Sequence, residues 1–364
     1  MSLMECLEKA NLPKNQTVLD NFIRAHKIIN NPLYNVILCS ISGGSDSDIM
    51  LDIISKVDEQ NKVKYVWFDT GLEYQATKDH LLYLEQKYNI KIERERAIKP
   101  IPTTCREYGQ PFCSKMVSKN IQALQARNFK FEDKPYEELV KEYCDIVSSD
   151  TSHAECIDGV WYKGCLRALK WWCNRFGGLG NDKKGNRISH FNINRNTWLK
   201  EFMIQNPPDF KISSECCHWA KKEVSNQLIK RYNCDLMIIG LRKAEGGARS
   251  TIYKNCFSEN DTGMCDFYRP IFWYLDSDKV DYEKSCNIIH SDCYKIWGFK
   301  RTGCCCCPYS GRNLYMELET TKKYEPKLYK AVNNVFKDSY DYTMKYHKFQ
   351  KDMKQKERGI RNLF

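Results

Sequence analysis

Hydrophobic positions along the chain fall into short blocks separated by longer stretches of helical period. Residues 34–40 (YNVILCS) form a short, partly β-branched apolar run, followed at once by Ser42, Gly43 and Gly44 and then by a helix-period stretch through Lys56. The pattern predicts a strand, a tight loop and a helix. Residues 63–68 repeat it: that run ends at Asp69, Thr70 and Gly71 and leads into residues 75–88, where Leu81, Leu82 and Leu84 supply an apolar face. Residues 90–92 predict a third strand. Residues 235–239 predict another, which follows the amphipathic stretch 219–232 and ends at Gly240. Strands alternating with helices predict an α/β fold whose parallel sheet binds ligands at its carboxyl edge.

The alternation fails between residues 100 and 214, where Trp161, Trp171, Trp172 and Trp198 are mixed with Lys, Arg and Gly. This part reads as a mostly helical insertion. Within it, residues 174–189 carry Gly177, Gly178, Gly180 and Gly185 and read as a flexible connection. Residues 340–364 are lysine-rich, which predicts a solvated helical tail, with a nucleic-acid arm as the alternative.

Composition narrows the class. A chain of 364 residues with 42% hydrophobic and 13% aromatic content can bury a sizeable core. Its longest apolar runs are too short to cross a bilayer, and acidic residues stand near its start, so the expectation is a soluble cytoplasmic protein with no membrane partner. In a reducing compartment the 19 cysteines pack as small hydrophobes or bind metal, and clustering separates the two cases. Cys39, Cys144 and Cys234 sit singly among apolar neighbours and read as packing. The net charge of +11 suits an anionic small substrate or a polyanionic partner without choosing between them.

The strongest local signal is Ser42-Gly43-Gly44-Ser45-Asp46-Ser47, placed where a strand hands over to a helix. Glycines let the backbone approach phosphate oxygens, hydroxyls and successive N–H groups donate to them, and the helix N-terminus adds a favourable field. A Walker loop would need Lys followed by Ser or Thr, and none is present. The second signal is the pair Cys216-Cys217 followed much later by Cys304-Cys305-Cys306-Cys307-Pro308. Two thiolates from one turn and a CxxC from another can surround an iron–sulfur cluster or a tetrahedral zinc.

The loop 42–47 resembles the SGGxDS loop of PP-loop enzymes. Further stretches match the phosphoadenosine-phosphosulfate reductase family in order. Trp67-Phe68-Asp69-Thr70-Gly71-Leu72-Glu73 is similar to its second motif, and Gly240-Leu241-Arg242 with Glu245 and Arg249 to its later Arg-bearing segment. Arg269-Pro270-Ile271 with Trp273 is similar to the segment that precedes a helix. The resemblance implies a Rossmann-like adenine nucleotide alpha-hydrolase fold. Its nucleotide-binding domain would be split over residues 1–99 and 215–310, with residues 100–214 as the insertion and 311–364 as a basic helical tail. It also implies nucleotide binding by Ser42, Gly43, Gly44, Ser45, Asp46, Ser47, Asp69, Thr70, Gly71, Gly240 and Arg242, and catalytic roles for Asp46, Arg242 and Arg249. Arginine suits such a site because a planar guanidinium grips phosphate or sulfate bidentately.

The cysteine spacing resembles the set that holds a [4Fe–4S] cluster in the assimilatory adenylylsulfate reductases of this family. It implies Cys216, Cys217, Cys304 and Cys307 as ligands; Cys305 and Cys306 are extra relative to that pattern, and zinc is the alternative occupant. Lys221 or Lys222 could then offset the charge of the thiolates. The stretch from Gly109 to Lys115 is similar to a Gly-x-Pro-x-Cys segment of cluster-bearing relatives and adds Cys113 as a candidate functional thiol.

One departure is plain. Sulfonucleotide reductases attack sulfur with a cysteine near the C-terminus, and here no cysteine follows Cys307. Three readings follow. The first is an ATP pyrophosphatase that adenylylates an acceptor or activates sulfur for transfer, with Mg²⁺ shared between ATP and Asp46 or Asp69, a nucleic acid as possible acceptor and a protein as possible sulfur donor. The second is a reductase of adenylylsulfate or phosphoadenylylsulfate using Cys113 or another thiol. The third is a nucleotide-binding regulator without turnover.

Overall fold

The computed structural model describes residues 3–177, 180–181, 187–246, 252–260 and 265–361. Two compact units share the chain. The first comprises residues 1–101, 217–305 and 316–329, and the second residues 102–216, 306–315 and 330–364. The first unit is thus interrupted after residue 101 and again after residue 305.

The first unit is built on a six-stranded sheet. Its strands are β1 (Ile37–Ser40), β2 (Val63–Asp69), β3 (Ile92–Arg96), β4 (Leu236–Ile239), β5 (Phe257–Ser258) and β6 (Asp266–Tyr268). They lie in the order β5-β6-β4-β1-β2-β3, all neighbours parallel except β5 against β6. The central strand β1 is apolar up to its last residue, Ser40, because both its faces are covered. Ile37 and Cys39 join one core cluster and Leu38 the other. The strand β3 was expected at 90–92 but begins at Ile92 and runs through Glu93, Arg94, Glu95 and Arg96. It is the outermost strand on its side, and charged side chains there deter pairing with other chains.

Helices of this unit include α1 (Leu3–Lys9), α2 (Gln16–Ile29), α3 (Ser45–Val57), α4 (Gln75–Tyr88), α5 (Glu223–Tyr232), α6 (Asp276–Ser285) and α7 (Asp292–Lys295). Helix α3 is buried almost all round: Ile49, Met50, Leu51, Ile53, Ile54 and Val57 are inaccessible, each stabilising by roughly 1.5–3 kcal/mol. Of its two buried carboxylates, Asp52 has partners on both oxygens and Asp48 on Oδ2. Asp52 accepts from Tyr88 at 2.9 Å and Tyr282 at 2.7 Å and pairs with Lys56 at 2.7 Å. Asp48 faces His290 at 2.7 Å, with His80 Nε2 at 3.0 Å. These contacts fix the helix whose first turn opens on the candidate site. A π-helical turn, His218–Lys222, precedes α5.

The second unit has its own core. The helices Lys115–Gln125, Tyr136–Tyr143, Leu166–Trp172 and Leu199–Gln205 enclose Phe112, Trp171 and Trp172, and Tyr342 and Tyr346 from the C-terminal helix complete it. A three-stranded antiparallel sheet of Asp145–Ile146, Val160–Lys163 and Glu155–Ile157 accompanies the helices. Of the glycine-rich connection expected at 174–189, residues 178–179 and 182–186 lie outside the described residues.

Candidate functional site

The site grows from the turn between β1 and α3. Gly43 has φ +68°, and a Cβ there would stand 2.8 Å from Thr77 Cγ2, so both conformation and space demand glycine. The turn is closed from within: the Ser42 N–H donates to Ser47 Oγ at 2.9 Å and the Gly44 N–H approaches Ser42 Oγ at 3.3 Å. Gly44 caps α3 without a side chain of its own, leaving the first-turn amides of the helix toward the cavity. A Cβ on Gly44 would meet Tyr294 Oη at 3.2 Å and Thr302 Oγ1 at 3.3 Å.

This turn lines a cavity of about 470 Å³ at the carboxyl ends of the strands, the position where open α/β sheets hold ligands. Ser42, Gly44, Ser45, Asp46 and Ser47 contribute from the turn, and Gly240 and Arg242 from the end of β4. A Cβ on Gly240 would touch Ser47 Cα at 3.4 Å, so the end of β4 closely approaches the first turn of α3. Arg242 donates from Nε to Asp46 Oδ2 at 2.9 Å and from Nη1 to Asp276 at 2.8 Å. Lys279 on α6 donates to Asp46 Oδ1 at 2.8 Å and to Ser45 Oγ at 2.5 Å. Burial alone would raise the Asp46 carboxyl, but Lys279 and then Arg242 hold it below the ordinary carboxylate value.

Three further cations, Lys221, Lys300 and Arg301, line the same cavity. The segment that brings Lys300 and Arg301 is fixed by Tyr294, whose hydroxyl accepts from the Thr302 N–H at 3.0 Å and bonds Thr302 Oγ1 at 3.1 Å. Lys279, Tyr294, Lys300, Arg301 and Thr302 were not picked out by sequence reasoning. Lys279 shares a helix with Asp276 and Glu283, which reads as a solvated face, whereas the Lys300-Arg301 pair directly before the cysteine run was a signal that could have been used.

The second sequence motif divides. Trp67, Phe68 and Glu73 line the cavity; Asp69, Thr70 and Gly71 are not among its lining residues. Asp69 instead accepts from Arg94 Nε at 2.8 Å and from the Gly71 N–H at 3.0 Å. Thr70 is inaccessible and donates to Glu73 at 2.6 Å. The same hydroxyl lies 3.5 Å from Cys304 Sγ. The Cys305 N–H donates to the Leu72 carbonyl at 2.8 Å, which ties the start of the cysteine run to the loop after β2. Burial raises the Cys304 thiol, and the Lys221 ammonium offsets part of that rise. Lys221 thus faces both the cavity and Cys304.

Of the four candidate cluster ligands, Cys217 and Cys304 belong to the first unit and Cys216 and Cys307 to the second. Cys113 also belongs to the second unit. There the Gly-x-Pro-x-Cys stretch acts as a clip. A Cβ on Gly109 would lie 2.2 Å from the Lys211 carbonyl oxygen, the Gln110 N–H donates to that carbonyl at 2.8 Å, and Gln110 accepts from the Ser213 N–H at 3.0 Å. The clip holds the strand-like segment that runs into Cys216. Cys113 has φ +59°, its Sγ is 3.6 Å from Asn196 Oδ1, and burial pushes its thiol up to about 12. Arg269 is buried away from the cavity, donates to Ser258 at 3.0 Å and stacks on Tyr253 at 4.1 Å. Arg249 lies outside the described residues.

Residues 36–115 match the family model of the phosphoadenosine phosphosulfate reductase domain. The matched stretch runs from β1 to the clip. Among solved structures the chain is similar to phosphoadenylyl-sulfate reductase from Candida auris in its phosphate complex, at 10% identity and TM-score 0.39, over 83% of this chain and 95% of that one. It is also similar to the U34-tRNA thiolase NcsA from Methanococcus maripaludis with its [4Fe-4S] cluster, at 10% identity and TM-score 0.36, over 90% and 77%. A third is the NH3-dependent NAD synthetase from Campylobacter jejuni, at 12% identity and TM-score 0.31, over 90% and 95%. No curated protein sequence matches the chain. Among the described residues no helix is long and apolar enough to cross a membrane.

Proposed function

We propose that this protein is a PP-loop enzyme that binds ATP in the cavity at the end of β1 and cleaves it to AMP and pyrophosphate, activating an acceptor for sulfur transfer. The observation that carries the reading is the convergence of the glycine turn, the start of α3 and five cationic side chains on one cavity. Arg242, Lys279, Lys221, Lys300 and Arg301 outnumber the carboxylates there, and such an array stabilises charge that develops on a departing pyrophosphate. Asp46 is the lining carboxylate that would hold Mg²⁺, which supplies charge neutralisation between phosphates when bound. Lys279 and Arg242 pair with its two oxygens, and with Mg²⁺ held there those two cations would be available to the phosphates.

Cys216, Cys217, Cys304 and Cys307 are the residues that would hold a [4Fe–4S] cluster, a donor set of four thiols that also suits zinc. What supports the cluster in the first unit is the environment of Cys304: a hydroxyl at 3.5 Å and an ammonium that offsets thiolate charge. A nucleic acid is a candidate acceptor and a second protein a candidate sulfur donor.

The family match favours a second reading, in which the same cavity takes adenylylsulfate or phosphoadenylylsulfate for reduction. A product screen separates the readings. Pyrophosphate from ATP supports the first, and thiol-dependent sulfite from a sulfonucleotide the second. Nucleotide binding with neither product identifies a regulator.

A further inference from the structure

A second set of ligating groups stands away from the cavity residues, at the N-terminal end of the first unit. Cys6 on α1, His26 in the last turn of α2 and Glu59 two residues after α3 come from three separate segments. One ligand atom from each lies within 4.8 Å of the other two. Cys6 Sγ is 3.6 Å from Glu59 Oε1, and the same oxygen is 2.7 Å from His26 Nε2. The trio is sheltered: Cys6 is 2% exposed, and the His26 and Glu59 side chains are 14% and 18% exposed.

We propose that Cys6, His26 and Glu59 form a zinc site that fastens α1 to the end of α2 and to the turn after α3. A thiolate, an imidazole and a carboxylate are the ligand types that zinc takes, whereas a thiolate disfavours Mg²⁺ and Ca²⁺. Zinc bonds of about 2.0–2.3 Å in tetrahedral geometry separate ligand atoms by roughly 3.3–3.7 Å. The Cys6–Glu59 separation already fits, and the His26–Glu59 pair has to open by about 0.6 Å to reach that range. The charges also balance. Zinc displaces the Cys6 thiol proton and takes Nε2 of a neutral His26 whose ring proton sits on Nδ1, so that the Cys6 thiolate and the Glu59 carboxylate meet one dication with no net charge left in a sheltered place. Three protein ligands leave a fourth tetrahedral position, which water fills in sites of this kind.

The need for such a fastening is visible in α1. This helix has seven residues, and Cys6 is its single buried side chain. A helix so short has little stability of its own and depends on what holds it. Metal binding that exists only in the folded state adds directly to stability.

The test uses full-length wild-type protein freed of loosely held metal, with Zn²⁺ added alone. Diethyl pyrocarbonate modifies histidine nitrogen, and peptide mass spectrometry reads each site separately. We expect Zn²⁺ to slow modification of His26 at least about tenfold, an occupancy effect at saturating metal, with the exposed His153 unchanged and Mg²⁺ without effect. Cys6→Ser is expected to lose that protection, one equivalent of bound Zn²⁺ and the zinc-dependent rise in melting temperature, while nucleotide binding is retained. Equal modification of His26 with and without Zn²⁺ in the wild-type protein overturns the site, and that measurement stands even if the variant does not fold. Identical zinc uptake by wild type and a folded Cys6→Ser also overturns it. Neither outcome touches the nucleotide reading, which is measured separately.

Discussion

Arg242 Nε and Asp46 Oδ2 meet at 2.9 Å although 196 positions separate them in the chain. Lys279 takes the other oxygen of the same carboxylate at 2.8 Å. A carboxylate clamped between two cations at the mouth of a helix keeps those cations oriented before any anion arrives. Lys279→Met is therefore expected to weaken ATP binding about 10–100-fold, the worth of a charge-assisted hydrogen bond of about 1.5–3 kcal/mol. Adenosine, which has no phosphate, is expected to bind equally well to both proteins. Calorimetry with the two ligands checks this, and an equal loss for both would mean that Lys279 shapes the fold and not the phosphate site.

Gly44 faces Tyr294 and Thr302 across a gap that a Cβ would reduce to 3.2 and 3.3 Å. A branched side chain there fills the approach to the helix amides and presses on the Lys300–Thr302 segment. Gly44→Val is expected to lose most nucleotide affinity, about tenfold or more, with the circular dichroism spectrum preserved. Binding of ATP and both sulfonucleotides at wild-type strength would remove the turn from the site.

His290 lies 2.7 Å from Asp48 through Nδ1 and 2.9 Å from Glu283 through Nε2. Burial alone would lower the imidazole value, but Asp48 and then Glu283 outweigh it and push it up to about 9. Because the folded value exceeds the unfolded one of about 6.5, protonated His290 stabilises the fold fully below about pH 6.5. That contribution, roughly 2–3 kcal/mol at most, is lost as pH climbs through about 9. Urea unfolding at about pH 6 and about pH 9.5 should show this loss in wild type and a much smaller one in His290→Gln. Parallel pH dependence in the two proteins would assign the loss to other groups.

The parts of this site that could be read from the sequence are those with a local cause. The strand-turn-helix at 37–57 announces itself through an apolar run, two glycines and a helix period in close succession, and β4 through an apolar block ending at Gly240. The edge strand β3 was blurred because Glu93, Arg94, Glu95 and Arg96 carry no apolar alternation, and β5 and β6 were missed because two or three residues leave no period to detect. Asp69 resembles a ligand in sequence, yet it is the partner of Arg94, a pairing set by β2 and β3 lying side by side. Lys279 reaches Asp46 only through the packing of α6 near α3, and nothing in its neighbours hints at it. The Gly109 clip was noticed as a motif, but its cause, the Lys211 carbonyl that a Cβ would strike, is a long-range contact.

Protein purified without oxygen is expected to be brown and to contain iron and sulfide. Cys304→Ser should lower the iron content, since that thiol lies beside Thr70 Oγ1 on the loop after β2 and close to the influence of Lys221. Cys216→Ser should lower it as well and leave nucleotide affinity largely intact, because Cys216 is not among the residues lining the cavity. Stoichiometric zinc with no iron, in protein reconstituted anaerobically, would replace the cluster by a structural zinc.

The final expectation concerns the reaction and rests on where thiols stand. A sulfonucleotide reductase needs a thiolate that attacks sulfur. Cys113, the substitute that the sequence offers, has its thiol pushed up to about 12 by burial, so at neutral pH it is almost wholly protonated and a poor nucleophile. Sulfite is therefore not expected from adenylylsulfate or phosphoadenylylsulfate with a reducing thiol system. Slow release of pyrophosphate from ATP is expected, faster when the right acceptor is supplied. Asp46→Asn should abolish that release, because a neutral amide binds a hard cation weakly and no longer orients Lys279 and Arg242. Robust sulfite formation that disappears in Cys113→Ser would reverse this ordering: the thiol would then have to be activated by the bound substrate, and the protein would be a reductase with a relocated nucleophile.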